Sequence, residues 1–227
     1  MTLAIESSVL LTVRGTIAPA DHQAARVLHN ETAGSEAGIA AARSLGDLSH
    51  KVYVPCAAAG EMSAPKNELL FIDTWENAEG LQQFFSNPHV QQQGGRLFTH
   101  RDPTVWMPAR GSFSFDLPTS SARTNRFVGV IRVAVKSPQA AIEAFATNGK
   151  QHLRDARKRG QLSHEIFFKL APPAEGAPVE LLGVDVWADL DGMLAHYRET
   201  MAGLASAFAG KPDGTVWQQA EGGWSEW

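Results

Sequence analysis

The sequence predicts an α+β protein built from two copies of one β-α-β-β-α-β unit, and three observations carry that reading. First, the chain repeats itself. Gly46-Asp47-Leu48-Ser49-His50 is answered by Gly160-Gln161-Leu162-Ser163-His164; Glu68-Leu69-Leu70 with Asp73-x-Trp75 by Glu180-Leu181-Leu182 with Asp185-x-Trp187; and Asp102 to Trp106 by Asp213 to Trp217. The separations are 114, 112 and 111 residues, so the matches stay in order. That spacing is too long for a solenoid repeat and fits two fused small domains. Second, each copy alternates strand-like and helix-like periodicity in the same order. Third, the 227 residues are 44% hydrophobic and 19% charged, enough to build a core in each copy.

The elements follow in order. Val9 to Val13 and Val128 to Val135 are β-branched and strand-forming. Helix starts follow at Pro19-Ala20-Asp21 and Ser137-Pro138-Gln139, where a polar cap and an early proline suit the first turn. Apolar residues then recur at helical spacing, as in Ala141, Ile142 and Phe145. Gly46 and Gly160 are placed to close these helices with a left-handed turn. The next strand places Leu48, His50, Val52 and Val54 on one face, repeated by Leu162, His164, Ile166 and Phe168. Loops at 55–67 and 171–178 lead to strands ending at Trp75 and Trp187. Asn77 and Asp189 cap second helices, and Val105-Trp106 and Val216-Trp217 mark the last strands. The order is the ferredoxin-like split-βαβ plan. The expected domains are 1–107 and 126–227, joined by a Gly-, Pro- and Ser-rich linker over 108–125 in which Phe113 and Phe115 pack on a domain. A lone sheet of this kind leaves one face bare. Two antiparallel sheets packed face to face as an intrachain α+β barrel would cover both.

Composition narrows the function classes. A net charge of −4 offers no basic patch for nucleic acid or an anionic membrane. No stretch approaches the ~20 apolar residues that span a bilayer, and Met1 to Val13 lacks a basic leader. The single cysteine, Cys56, fits a reducing, cytoplasmic setting. There is no Cys-x-x-Cys, His-Glu-x-x-His, phosphate loop or nucleophile elbow. No spacing specifies a metal site, and Gly94-Gly95 reads as a turn.

Gly46 to Tyr53, then Asp73-x-Trp75, then Ser86-Asn87-Pro88-His89-Val90 resembles the antibiotic-biosynthesis-monooxygenase (ABM) domain family, and the second copy resembles it in turn. The resemblance implies the dimeric α+β barrel superfamily, here as an intrachain pseudo-dimer within a monomer. It implies a cofactor-independent monooxygenase acting on a small aromatic or quinol-like molecule in a barrel pocket. The alternatives are a non-catalytic small-ligand-binding protein or a haem-binding relative. The family's histidine nine residues after the acid-x-Trp tryptophan is Phe84 in the first copy and His196 in the second. Its Ser-Pro-His histidine is His89 in the first and Met201 in the second. One asymmetric site is therefore expected. At the position of the haem ligand in haem-degrading members stand Gln93 and Ala205, against haem.

The candidate bases are His196, His164 and His50. His50 and His164 either fill core space with a satisfied ring or line a pocket, where a near-neutral imidazole suits proton transfer. Trp75 and Trp187 are either core or an aromatic wall; Trp106 and Trp217 share that ambiguity. Asn30 and Asn148 are positioned to orient an anion or to solvate a helix face. His89 is a further ligand contact. Arg14 and Arg132 are expected to pair with Asp73 and Asp185.

Overall fold

Alternating strands and amphipathic helices give the chain a mixed α+β structure. The computed structural model describes residues 8–116, 126–171 and 175–227. These form two compact units that do not follow chain order. Unit 1 holds the described residues up to Pro55, then Pro65–Met107 and Ala220–Trp227. Unit 2 holds Cys56–Ala64 and the described residues of Pro108–Gln219.

In unit 1, β1 (Val9–Ile17) leads to α1 (His22–Glu31) and α2 (Glu36–Ser44), then β2 (Asp47–Pro55), β3 (Glu68–Trp75), α3 (Ala78–Phe85), α4 (Pro88–Leu97) and β4 (Phe98–Pro108). The expected single first helix is two, because Thr32 and Ser35 turn the chain back on itself and Ser35 caps α2 through Gly38 N–H. The strands are antiparallel in the order β4-β1-β3-β2. One face of this sheet packs Val9, Leu11, Val13, Val52, Leu69, Phe71 and Trp75 with Ala25, Ala42, Leu81 and Leu97 of the helical layer.

In unit 2, β5 (Phe115–Asp116) precedes β6 (Phe127–Val135), α5 (Pro138–Lys158), β7 (Gln161–Lys169), β8 (Val179–Trp187), α6 (Leu190–Leu204) and β9 (Asp213–Gln219). The order is β9-β6-β8-β7-β5, again antiparallel. Val133, Val135, Ile166 and Leu181 pack with Ala141, Phe145 and Leu204. A second cluster joins Ile131, Trp187 and Val216 to Ala156, Met193, Tyr197 and the inserted Cys56 and Ala59.

Gly46 and Gly160 hold φ of 94° and 97°, the left-handed turn that a Cβ disfavours. Asn77 and Asp189 cap α3 and α6 by accepting from the N–H of Gly80 and Gly192.

Several local expectations change. Leu48 and Leu162 do not continue the faces of His50 and His164, since a β-bulge follows Asp47 and Gln161; Leu48 is exposed. Gly94 and Gly95 lie inside α4 rather than in a turn. Arg14 and Arg132 pair with Glu68 and Glu180, one strand position that favours a surface carboxylate over the buried Asp73 and Asp185. The part of the linker that is described is not a bare connector: Ala109 donates to the Ile166 carbonyl and Phe115 pairs with His164. The rest of it, 117–125, lies outside the described residues.

Candidate functional site

Unit 2 carries a buried carboxylate with three donors converging on it. The register of β7 against β8 sets His164 opposite Asp185, and His164 Nδ1 lies 2.6 Å from Asp185 Oδ1. Gln161 Nε2 donates to the same oxygen at 3.1 Å. The Tyr197 hydroxyl, from α6, donates to Oδ2 at 2.8 Å. With Nδ1–H held by the carboxylate, a neutral His164 presents its lone pair at Nε2. That atom is buried and has no hydrogen-bond partner among the described residues. The rings of Phe113, Phe145 and Phe115 stand 6.1, 6.2 and 6.4 Å from it, centroid to centroid.

These groups line a pocket together with Asn148, His152, His196 and Thr200. Counted with its open mouth and the solvent beyond it, the space is about 480 Å³. The unobstructed interior is smaller, about 40 Å³, room for only a few waters.

Electrostatics separate the two pocket histidines. Burial pulls the His164 imidazole down, but the charge and hydrogen bond of Asp185, with Glu165, more than offset it and leave the value raised. His196 is lowered, by burial first and then by the charges of His152, Arg159 and His164, against the pull of Asp185. Its ring lies 5.2 Å from Trp187 and it has no side-chain hydrogen bond among the described residues. Tyr197 is held well above the ordinary phenol range by burial and then by Asp185, so it stays a donor.

The expected site residues therefore divide between the units. His164, His196 and Asn148 line the unit 2 pocket, where Asn148 Nδ2 donates to the Thr200 carbonyl. Trp187 is fully buried behind His196. Trp75 is buried in unit 1 against Phe84 and Phe85. Trp106 and Trp217 are buried with their indoles bonded to Thr12 and Thr215. His89 is exposed on α4, beside Gln93. His50 and Asn30 meet in unit 1. His50 Nδ1 lies 2.7 Å from Asp73 and its Nε2 lies 3.0 Å from His29 Nε2. Asn30 contacts His29, Gly223 and Ser225.

Sequence reasoning missed Gln161, Tyr197 and His152 in unit 2, and His29 and Trp227 in unit 1. A signal for part of this was present. At a separation of 111, Ala109-x-Gly111-x-Phe113-Ser114 matches Ala220-x-Gly222-x-Trp224-Ser225. The repeat thus runs on past the last main strand. The two stretches make equivalent bonds, Ala109 to Ile166 and Ala220 to Val52. Among the described residues, no group of three or more His, Cys, Asp or Glu converges as metal ligands, and no helix is long and apolar enough to cross a membrane.

No family model matches the chain, and no curated protein matches it in sequence. Solved structures do match along nearly its whole length. An anthrone oxidase-like protein aligns with TM-score 0.63 at 14% identity, covering 97% of this chain and 94% of that one. A candidate monooxygenase from Lactobacillus acidophilus NCFM aligns with TM-score 0.59 at 14% identity, covering 95% and 94%. A single-residue variant of DypB from Rhodococcus jostii RHA1, solved in complex with haem, aligns with TM-score 0.53 at 14% identity, covering 95% and 94%. At these identities the likeness is one of α+β fold.

Proposed function

We propose that unit 2 is the substrate site of a cofactor-independent monooxygenase acting on a small phenolic or quinol-like aromatic. The observation that carries this is the His164–Asp185 pair, with an unpartnered, buried Nε2 facing a pocket of aromatic rings. Asp185 fixes the tautomer of His164, and Gln161 and Tyr197 fix Asp185. His164 Nε2 takes a proton from the substrate, and the resulting anion is electron-rich. His196 and the Asn148 amide lie where they can orient that anion's oxygen. Dioxygen is the oxidant. For an activated ring methylene, as in an anthrone, carbon loses four electrons and dioxygen gains four. One oxygen atom ends as the ring carbonyl and the other leaves as water, so neither flavin nor metal is required. The likeness to an anthrone oxidase-like protein supports this substrate class. His164, with its carboxylate, is the preferred base over His196 and over His50, which sits in unit 1. We also infer that the two units descend from one ABM-type ancestor, which their common register of His50 to Asp73 and His164 to Asp185 supports.

Oxygen uptake with an anthrone and hydroquinone panel tests the reading. His164→Gln is expected to lower turnover about 10²- to 10⁴-fold with the fold kept. Because the base must be unprotonated and its value is raised, kcat/KM should climb with pH through an apparent value above that of free imidazole, about 6.5. Normal turnover in a folded His164→Gln variant sinks the assignment. Tight binding of the panel without oxygen uptake would instead make the site a ligand-binding pocket.

A further inference from the structure

Unit 1 brings together a second set of groups that this chemistry does not use. The segment Ala220–Trp227 lies along β2, joined to it by a few backbone hydrogen bonds. His50 N–H donates to the Trp227 carbonyl at 2.8 Å, Trp227 N–H returns to His50 at 3.3 Å, and Ala220 N–H donates to Val52 at 3.1 Å. Glu226 accepts from Val52 N–H at 2.8 Å. The Trp227 indole stacks on the His50 ring, 4.7 Å between centroids and 24° from parallel. The Trp224 ring leans on His29 at 5.3 Å.

The fit is good in shape and poor in polarity. Trp227 Nε1 and Asp47 Oδ1 are both buried and both lack a hydrogen-bond partner. The indole N–H acts on the Asp47 carboxyl as a hydrogen-bond donor, the least of the influences on it, without making a full bond to Oδ1. A buried donor and a buried acceptor left unmet next to one another are costly. A free aromatic molecule, not tied to a backbone strand, can slide to close that gap.

The segment also sets the protons beneath it. Asn30 Nδ2 donates to the Gly223 carbonyl and its Oδ1 accepts from Ser225 N–H, so its orientation is settled by two partners. His29 Nδ1, 3.1 Å from that Oδ1, must then carry hydrogen. A neutral His29 accepts at Nε2 from His50 Nε2–H, and His50 Nδ1 lies 2.7 Å from Asp73 Oδ1.

We propose that unit 1 holds a second aromatic-binding site on the His50–His29 pair, for a planar ring bearing an N–H or O–H donor, and that the Trp227 indole occupies it as a stand-in ligand. The proposal is independent of the assignment of unit 2. Indole is the probe, and its own binding to unit 2 is removed by comparison with the unaltered protein. Trp227→Ala keeps the backbone bonds and should bind one more indole per chain than the wild type by equilibrium dialysis. Indole should raise its Tm by about 3 °C or more beyond any effect on the wild type, and should move the ¹⁵N signals of His50 and His29. If Trp227→Ala is unfolded, saturating indole should restore the folded circular-dichroism spectrum. A folded variant with wild-type stoichiometry and unmoved His50 and His29 signals overturns the proposal, as does an unfolded one that indole does not restore.

Discussion

Asp47 and Gln161 stand at matching points of the two sequence copies, one residue before a β-bulge, and their chemistry differs. Gln161 donates to Asp185. Asp47, when ionised, adds a second negative charge near Asp73. Burial first, and Asp73 second, push its carboxyl up to about 7, against smaller opposing effects of His50, Ser49 N–H and Trp227. A carboxyl raised on folding binds more protons in the folded chain than in the unfolded one. Its contribution to stability is therefore intact below the unfolded value of 3.8 and is lost as pH rises through about 7. Asp47→Asn should raise Tm by a few degrees at pH 8, on the order of 1–2 kcal/mol, and by progressively less as pH falls toward about 4; thermal melts across that range check this. His29 acts with the opposite sign. Burial and then the charge of His50 lower it from 6.5 to about 4, so stability falls as pH drops through that window. His50 and His164 were visible in the sequence as repeated histidines on strands. Their partners were not, because Asp73 and Asp185 lie 23 and 21 residues away and only strand register sets them opposite.

At the scale of elements, caps and turns were the most legible features. They depend on chemistry within three or four residues, as at Asn77, Asp189, Gly46 and Gly160. Close approaches between elements were not legible. Gly192 lies in the first turn of α6, and a Cβ there would sit 2.1 Å from the carbonyl oxygen of Arg159, the residue that ends α5. Backbone cannot yield as a side-chain tip does. Gly192→Ala should cost about 2 kcal/mol or more, read as a Tm loss of about 5 °C. Gly95, also helical, would meet nothing within 4 Å. Gly95→Ala should be neutral or stabilising by up to about 1 kcal/mol, because alanine loses less chain entropy. The same substitution thus separates a packing glycine from a merely tolerated one, and a large loss at both positions would contradict the distinction. The break between α1 and α2 was legible in part: Thr32, Gly34 and Ser35 are all weak helix formers.

At the scale of the molecule, the chain exchanges segments between its units. Residues 56–64 pack in unit 2, and Ala220–Trp227 complete unit 1. A fragment ending at Met107 would lack the segment that covers His29, His50 and Val52. It is expected to melt lower than the intact chain and to bind a hydrophobic dye; a native-like Tm for that fragment would show the segment to be dispensable. By itself, the sequence determined the α+β class and the main caps and turns, because periodicity and capping are local. Only the tertiary structure decided that Tyr197 and Gln161 hold Asp185, that His164 rather than His196 is hydrogen-bonded to it, and that Trp227 covers His50. Each of those is a meeting of residues distant in sequence, and a one-residue bulge or one exchanged segment is enough to redirect it.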